Sequence, residues 1–152
     1  MRLFRIAKRQ YIEDFSGEGA RLYGGRWNKA GTKMLYLSST LSLSVLEILV
    51  HFNQDYAPND LYYAELELAD KFINTKTDFS ELKEHLRDNP PHYSTQKFGT
   101  EWVKFNKDLA MTVPSAILPT EQNILINPKH KDIGELKLIG IEVLQLDMRL
   151  VL

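Results

Sequence analysis

The sequence predicts an α+β fold, in which a mixed or antiparallel sheet is flanked by a few helices. Several short apolar or alternating segments are typical of strands, and they do not alternate regularly with helical segments as in a βαβ protein. The chain has 152 residues, of which 43% are hydrophobic and 26% charged, as in ordinary soluble globular proteins. We therefore expect a single domain over residues 1–152.

Six segments are predicted to be strands because they are apolar or alternate between apolar and polar residues. These strands are 3–6, 34–38, 61–68, 113–119, 121–128 and 136–146, with 71–74 as an optional extension of the sheet. Pro114 and Pro119 lack the amide proton that a central strand donates. The strand over 113–119 is therefore expected at an edge or with irregular pairing.

Three helices are predicted between these strands. The first covers about 41–52, with Thr40 or Ser42 as its N-cap. A short amphipathic helix over 78–87 ends before the Asn-Pro-Pro sequence at 89–91. The third opens at 99–101 after a loop over 92–98, and its apolar residues are Trp102, Val103, Phe105, Leu109 and Met111.

The helix over 41–52 carries one charged residue, Glu47, among residues that are apolar nearly all round. This composition predicts a helix that is buried on most sides. A carboxylate there must be paired, hydrogen-bonded or protonated, because an isolated buried charge is very costly. Two interpretations are open at this point. In the first, Glu47 is structural and either forms an ion pair or lies on the one solvent-exposed edge of the helix beside His51. In the second, it is a positioned active-site carboxylate.

A glycine-rich stretch over 16–31 contains five of the eight glycines of the chain. Glycine permits bent backbone and close approach, so this concentration predicts a shaped loop. The same stretch carries Arg21, Tyr23, Arg26 and Trp27, which supply guanidinium donors and flat aromatic faces. The combination suggests a pocket for a flat, anionic ligand, and the competing interpretation is a tight surface turn with solvated arginines.

Composition and motif spacing exclude several function classes. A net charge of −1 and a pI of about 6.4 argue against a general nucleic-acid binder. The chain has no cysteine, which excludes disulfides and cysteine-ligated zinc. The four histidines, at 51, 85, 92 and 130, show no paired ligand spacing, so no metal is expected. Neither a P-loop nor a dinucleotide-binding glycine fingerprint is present. No apolar run resembles a signal peptide or a membrane span, and we expect a soluble cytoplasmic protein without membrane contact.

Nine short segments, in this order along the chain, resemble the RES domain family. They are FRI at 4–6, GEGAR at 17–21, GGRWN at 24–28, YLS at 36–38, LE at 46–47, GTEW at 99–102, VPSA at 113–116, NILINP at 123–128 and DMRL at 147–150. The GGRWN segment followed by the PSA and NP segments makes the match specific, and it spans almost the whole chain.

The resemblance implies a fold similar to ADP-ribosyltransferases and a role as the toxin of a bacterial toxin–antitoxin pair. Family activities on NAD include hydrolysis, phosphorolysis and ADP-ribosyl transfer to a protein. NAD would thus be the substrate, and the acceptor of ADP-ribose, whether water, phosphate or protein, is left open. The implied partner is an Xre-type antitoxin with a helix-turn-helix part, which blocks the active site.

Carried over to matching positions, the family site consists of Arg5, Arg26, Tyr36, Glu47, Ser115 and Asn123. The chemistry of these residue types is consistent with these assignments. Arg5 and Arg26 are expected to hold the pyrophosphate, and Tyr36 or Trp27 to stack on nicotinamide. Glu47 is expected to stabilise the positive charge that develops on the ribose as nicotinamide leaves. Ser115 is expected to position the substrate rather than to act as a nucleophile.

Two other functions compete with NAD cleavage. An RNA-directed toxin could use the arginines and aromatics of the glycine-rich stretch to bind phosphates and stack bases. A noncatalytic interaction domain could bind a partner through the same stretch.

Overall fold

Seven strands form one sheet in the computed structural model, which describes residues 1–52 and 59–151. They are β1 (Arg2–Lys8), β2 (Leu35–Ser38), β3 (Leu61–Glu67), β4 (Ile73–Asn74), β5 (Ala110–Pro114), β6 (Gln122–Ile126) and β7 (Lys137–Val143). Their order across the sheet is β4-β5-β6-β2-β1-β3-β7. All neighbouring pairs are antiparallel except β4 and β5, which are parallel. The predicted α+β class with a mixed sheet is confirmed.

Three α-helices flank the sheet in the described part of the chain: α1 (Glu18–Tyr23), α2 (Leu41–Leu49) and α3 (Tyr93–Phe105). Thr40 is the N-cap of α2, and its side chain accepts a hydrogen bond from the Leu43 amide at 3.1 Å. The helix is therefore capped by the first of the two residues that the sequence allows. None of the described helices is long and apolar enough to cross a membrane.

Helix α2 is less buried than its composition predicts. Only Leu43 and Ser44 are fully buried, and Val50, just after its last residue, is 61% exposed. The Ser44 hydroxyl donates to the Phe4 carbonyl at 3.2 Å and fixes the helix against β1. The prediction of burial on most sides is wrong, because the helix packs on the sheet through one narrow face.

Helix α3 begins six residues earlier than the sequence predicts. His92 is its N-cap, and the imidazole Nδ1 accepts from the Ser94 amide at 3.2 Å. The predicted loop over 92–98 is therefore helical. Gly99, the predicted start of the helix, lies in its interior, where a Cβ atom would be 1.8 Å from the Trp27 carbonyl oxygen. The residue allows the helix to touch the backbone of the glycine-rich stretch.

Three further boundaries differ from the prediction, at the second predicted helix and at both ends of β5. The helix predicted over 78–87 is reduced to a single 3₁₀ turn, Ser80–Leu82. Strand β5 begins at Ala110, so Leu109 and Met111 belong to the sheet region rather than to α3. Residues 115–119 lie beyond β5, because the chain turns there and the Ser115 amide donates to the Glu121 carbonyl at 2.9 Å.

The sheet separates two apolar clusters. Since side chains alternate along a strand, Leu35 and Leu37 of β2 pack in the larger cluster while Tyr36 packs in the other. Ser38 shares the face of Tyr36, and it pairs with Asn123 of β6, which puts Asn123 on that face too. Residue pairing therefore collects polar side chains at the ends of β2 and β6, beneath α2.

Candidate active site

Glu47 is hydrogen-bonded rather than ion-paired in the described structure. Its Oε1 accepts from the Ser115 hydroxyl and from the Asn123 side-chain amide, both at 2.7 Å. Among the described residues, no ion pair of 4.0 Å or less includes Glu47, and its second oxygen has no hydrogen-bond partner. Two neutral donors thus fix the carboxylate while one oxygen stays open to a ligand.

Ser115 lies just after β5 and is 1% exposed. Its hydroxyl donates to Glu47 and accepts from the amides of Ile117 and Leu118 at 3.1 and 3.2 Å. The proton and both acceptor sites of the oxygen are therefore in use. Because both acceptor sites are engaged by backbone amides, the hydroxyl is suited to orient Glu47 rather than to attack a substrate.

Ser38 completes the chain of contacts, although sequence analysis did not include it in the site. Its hydroxyl donates to the Asn123 Oδ1 at 2.9 Å, which orients the amide so that Nδ2 faces Glu47. Ser38 is 5% exposed. Because Tyr36 and Ser38 are two residues apart on one strand, their shared face was the signal that could have identified it.

The substitution Ser38→Ala tests this chain of contacts. It leaves the Asn123 Oδ1 without its partner, so the amide is no longer held towards Glu47. We expect the free energy of unfolding to fall by about 1 kcal/mol. We expect the turnover rate of a substrate bound at Glu47 to fall about fivefold. Ser44→Ala is the matched control, since that equally buried hydroxyl bonds to a backbone carbonyl instead. If both variants change turnover equally, Ser38 has no positioning role.

Arg26 lies in the same region as Glu47. Its Nη1 donates to the Asp88 carbonyl at 2.8 Å. Burial lowers the pKa of the guanidinium, and the negative charges of Glu47 and Asp88 oppose this shift. A guanidinium remains charged in proteins, so a half-buried cation lies near the fixed carboxylate.

Tyr36 shapes the loop that carries Arg26. Its hydroxyl donates to the Asn28 Oδ1 at 2.6 Å and accepts from the Trp27 amide at 3.0 Å. Burial raises the pKa of the phenol well above its ordinary value, so the neutral form persists. A Cβ at Gly25 would come within 2.7 Å of the same hydroxyl. The side chain is half-buried and packs against the smaller apolar cluster.

Helix α3 holds this loop from the other side. The Gln96 side chain donates to the Gly25 carbonyl at 3.0 Å, and the Thr100 hydroxyl accepts from the Lys29 amide at 2.9 Å. Asn28, which is 0% exposed, donates its amide to three carbonyls of the loop. The glycine-rich stretch is therefore a rigid structure and not a solvated turn.

Trp27 does not face the site. It is 2% exposed and packs edge-on against Phe79 and Phe98, with ring centroids 5.4 and 6.0 Å away. The indole belongs to the smaller apolar cluster, so it is not available to stack on a ligand in this conformation. Its amide, by contrast, helps to hold Tyr36.

Arg5 is also separated from Glu47. The pairing of Phe4 with Ser38 puts Phe4 on the face of the site, and Arg5 therefore points to the opposite face. There its Nη1 donates to the carbonyls of Tyr11 and Ile12, both at 3.0 Å. Burial lowers the pKa of this guanidinium, with the charge of Asp14 opposing the shift.

The structure brings Arg26, Tyr36, Glu47, Ser115 and Asn123 together, and leaves Arg5 and Trp27 outside.

Comparisons with known proteins agree with this architecture. The RES domain model matches residues 2–148. A protein named Toxin Res from Yersinia enterocolitica serotype O:8 / biotype 1B is 37% identical over 132 residues, which cover 86% of each chain. A protein named Prs ADP-ribosylating toxin from Sphingobium sp. strain YBL2 is 33% identical over 138 residues, covering 90% of this chain and 86% of its own.

A solved structure has the same fold. The crystal structure of the M. tuberculosis MbcT–MbcA toxin–antitoxin complex contains a chain that aligns with a TM-score of 0.67 at 18% identity. The alignment covers 95% of this chain and 84% of that one. The family model matches nearly every residue, and the curated relatives align over most of their length. The chain therefore belongs to the RES domain family.

Proposed function

We propose that this protein is a toxin that acts on NAD and breaks its nicotinamide–ribose bond at the site around Glu47. The observation that carries the proposal is the Glu47 carboxylate, fixed by Ser115 and Asn123 and close to the charged Arg26. The names of the relatives in Yersinia and Sphingobium support toxin activity, and the second also supports ADP-ribose chemistry. We assign this activity to a single domain that comprises residues 1–152.

The proposed chemistry needs one well-placed negative charge. Breaking the bond between nicotinamide and ribose develops positive, oxocarbenium-like charge on the sugar, as in glycoside hydrolysis. The open oxygen of Glu47 is placed to stabilise that charge and to accept from a ribose hydroxyl. Nicotinamide leaves as a neutral molecule, so the site requires no general acid. The two neutral donors on the other oxygen prevent the carboxylate from rotating away.

Arg26 and Tyr36 are the proposed NAD-binding residues. The guanidinium has one nitrogen bound to the Asp88 carbonyl, and its other donors are suited to the pyrophosphate. The half-buried ring of Tyr36 is the proposed stacking surface for nicotinamide, in place of the buried Trp27. Arg5 receives a structural role, because its donors hold the backbone at 11–12.

Substituting each arginine by lysine tests the proposal that Arg26 binds NAD and that Arg5 has a structural role. We expect Arg26→Lys to lower kcat/KM for NAD by about 10- to 100-fold, because lysine keeps the charge and loses the planar donors. Arg5→Lys is the matched control. It is expected to lower the unfolding free energy by about 1–2 kcal/mol and to keep kcat/KM within about threefold. A large loss of kcat/KM in Arg5→Lys alone would contradict this proposal and indicate that Arg5 contributes to NAD binding.

The acceptor of ADP-ribose distinguishes hydrolysis, phosphorolysis and protein modification. Products of the reaction with NAD are to be identified by mass, with and without phosphate and with a cell extract. Free ADP-ribose indicates water, a phosphorylated ADP-ribose indicates phosphate, and a protein mass increase indicates transfer. The name of the Sphingobium relative, an ADP-ribosylating toxin, favours ADP-ribosyl transfer as the second candidate.

An antitoxin is the proposed partner, and its Xre-type helix-turn-helix character is part of the proposal. The solved structure of the same fold is that of a toxin–antitoxin complex. The proposed location is the cytoplasm, where NAD and the antitoxin are available. An RNA-directed toxin would instead bind RNA with an affinity that falls steeply with salt, so turnover of NAD with no such binding removes that alternative.

A further inference from the structure

Two histidines that are seven residues apart come together beside the candidate site. The imidazole rings of His85 and His92 stack with centroids 3.6 Å apart and planes 5° from parallel. The Asp88 Oδ2 lies 2.9 Å from the His85 Nδ1. One donor atom from each of the three residues lies within 4.8 Å of the other two. The sequence spacing did not predict this cluster, because a turn at 85–91 folds the chain back.

We propose that His85, Asp88 and His92 bind a divalent ion of the zinc class. Two imidazoles and one carboxylate form a ligand set that zinc accepts in proteins, with a water molecule at the fourth position. Zinc bonds of about 2.0–2.2 Å need donors about 3.3 Å apart. The two rings are nearly parallel, so their in-plane lone pairs do not converge, and metal binding requires the half-exposed side chains to rotate out of the stack.

Metal binding through Nε2 of His92 requires a change in the hydrogen bonds of the ring, because Nδ1 accepts from the Ser94 amide at 3.2 Å and the proton of the neutral ring is then on Nε2. The Ser94 hydroxyl lies 2.7 Å from Nδ1 and offers the alternative partner. When the proton moves to Nδ1 and the ring donates to this hydroxyl, the lone pair of Nε2 becomes free for the metal, as in many metal-bound histidines. The positive end of the α3 dipole opposes a cation at its N-terminus, and the Asp88 carboxylate supplies the compensating negative charge.

The metal site is coupled to the candidate active site through one residue. Asp88 offers its carboxylate to the ion, and its backbone carbonyl accepts from Arg26 at 2.8 Å. Bound metal would therefore fix the carbonyl that orients Arg26. The ion is assigned this positioning effect and no chemical step, and the site stands whether or not the protein acts on NAD.

Titration of the metal-stripped full chain with Co²⁺ and Zn²⁺ tests the proposal. Co²⁺ reports its ligands through visible absorption, and Zn²⁺ is measured by equilibrium dialysis. We expect one equivalent to bind, with affinity reduced about tenfold or more in Asp88→Asn and in His85→Phe. The phenyl ring preserves the flat partner for His92 while it removes the donor. His51→Gln, a change at an exposed histidine outside the cluster, is expected to bind like wild type.

Hydrogen exchange supplies a readout that does not depend on enzyme activity. Zinc is expected to slow exchange over residues 83–92 in wild type and in His51→Gln, and to have no effect there in His85→Phe. Absence of binding at about 100 μM metal, or equal binding in all four proteins, would overturn the proposal. Binding that persists in His85→Phe and fails only in His51→Gln would place the site elsewhere.

Discussion

Glu47→Gln is expected to lower the rate of nicotinamide release from NAD by about 10²–10³-fold. The substitution keeps the size of the side chain and removes its charge. Its amide oxygen can still accept from Ser115 and Asn123, as the Oε1 of Glu47 does at 2.7 Å. Folding should therefore change little, while the group that stabilises the oxocarbenium-like ribose is lost.

Release of nicotinamide by the folded variant, measured by chromatography at several NAD concentrations, checks this expectation. Glu135→Gln makes the same chemical change at an exposed position and is expected to match wild type. Growth inhibition should be lost in parallel with the rate. Full activity of Glu47→Gln would show that another group supports the developing charge.

Gly99→Ala is expected to lower the unfolding free energy by about 2–4 kcal/mol. Helix propensity alone predicts the opposite sign, because alanine is favoured over glycine by about 1 kcal/mol in a helix interior. The added Cβ would lie 1.8 Å from the Trp27 carbonyl oxygen, and that neighbour is backbone that cannot rotate aside. The helix and the glycine-rich stretch must separate, which also displaces Arg26.

Gly19→Ala is the matched control for this effect. Gly19 lies in α1, and no heavy atom is within 4 Å of a Cβ built there. Its replacement is therefore expected to be neutral or to stabilise by up to about 1 kcal/mol. Urea unfolding of both variants measures the difference. Equal stabilities would mean that α3 and the glycine-rich stretch do not pack as closely as described above.

The strands were largely predictable, because their apolar and alternating residues carry the signal locally. Helix α3 was not, since Gly99 looks like a helix boundary until the contact with Trp27 is known. His92 could have indicated the true start, because its side chain caps the helix at Ser94. A long-range contact thus decided the boundary that local sequence placed wrongly.

The site was predictable in part. Glu47 stands out as the lone charge of an apolar helix, and the family resemblance supplied Arg26, Tyr36, Ser115 and Asn123. Which face Arg5 occupies depends on the register of β1 with β2, and one residue of shift would reverse it. No local pattern encodes that register.

Two other features depend on tertiary structure alone. Trp27 is buried because Phe79 and Phe98 converge on it from distant parts of the chain. The sequence marks the aromatic residue and does not say whether its ring faces a ligand or a core. Similarly, the role of Ser38 follows from its pairing with Asn123 across two strands.

The decisive measurement is nicotinamide release from NAD by the purified chain, free of antitoxin. We predict release that is catalytic, that occurs with water, phosphate or a protein as acceptor, and that disappears in Glu47→Gln. A folded wild-type chain that releases no nicotinamide with any of these acceptors would contradict it.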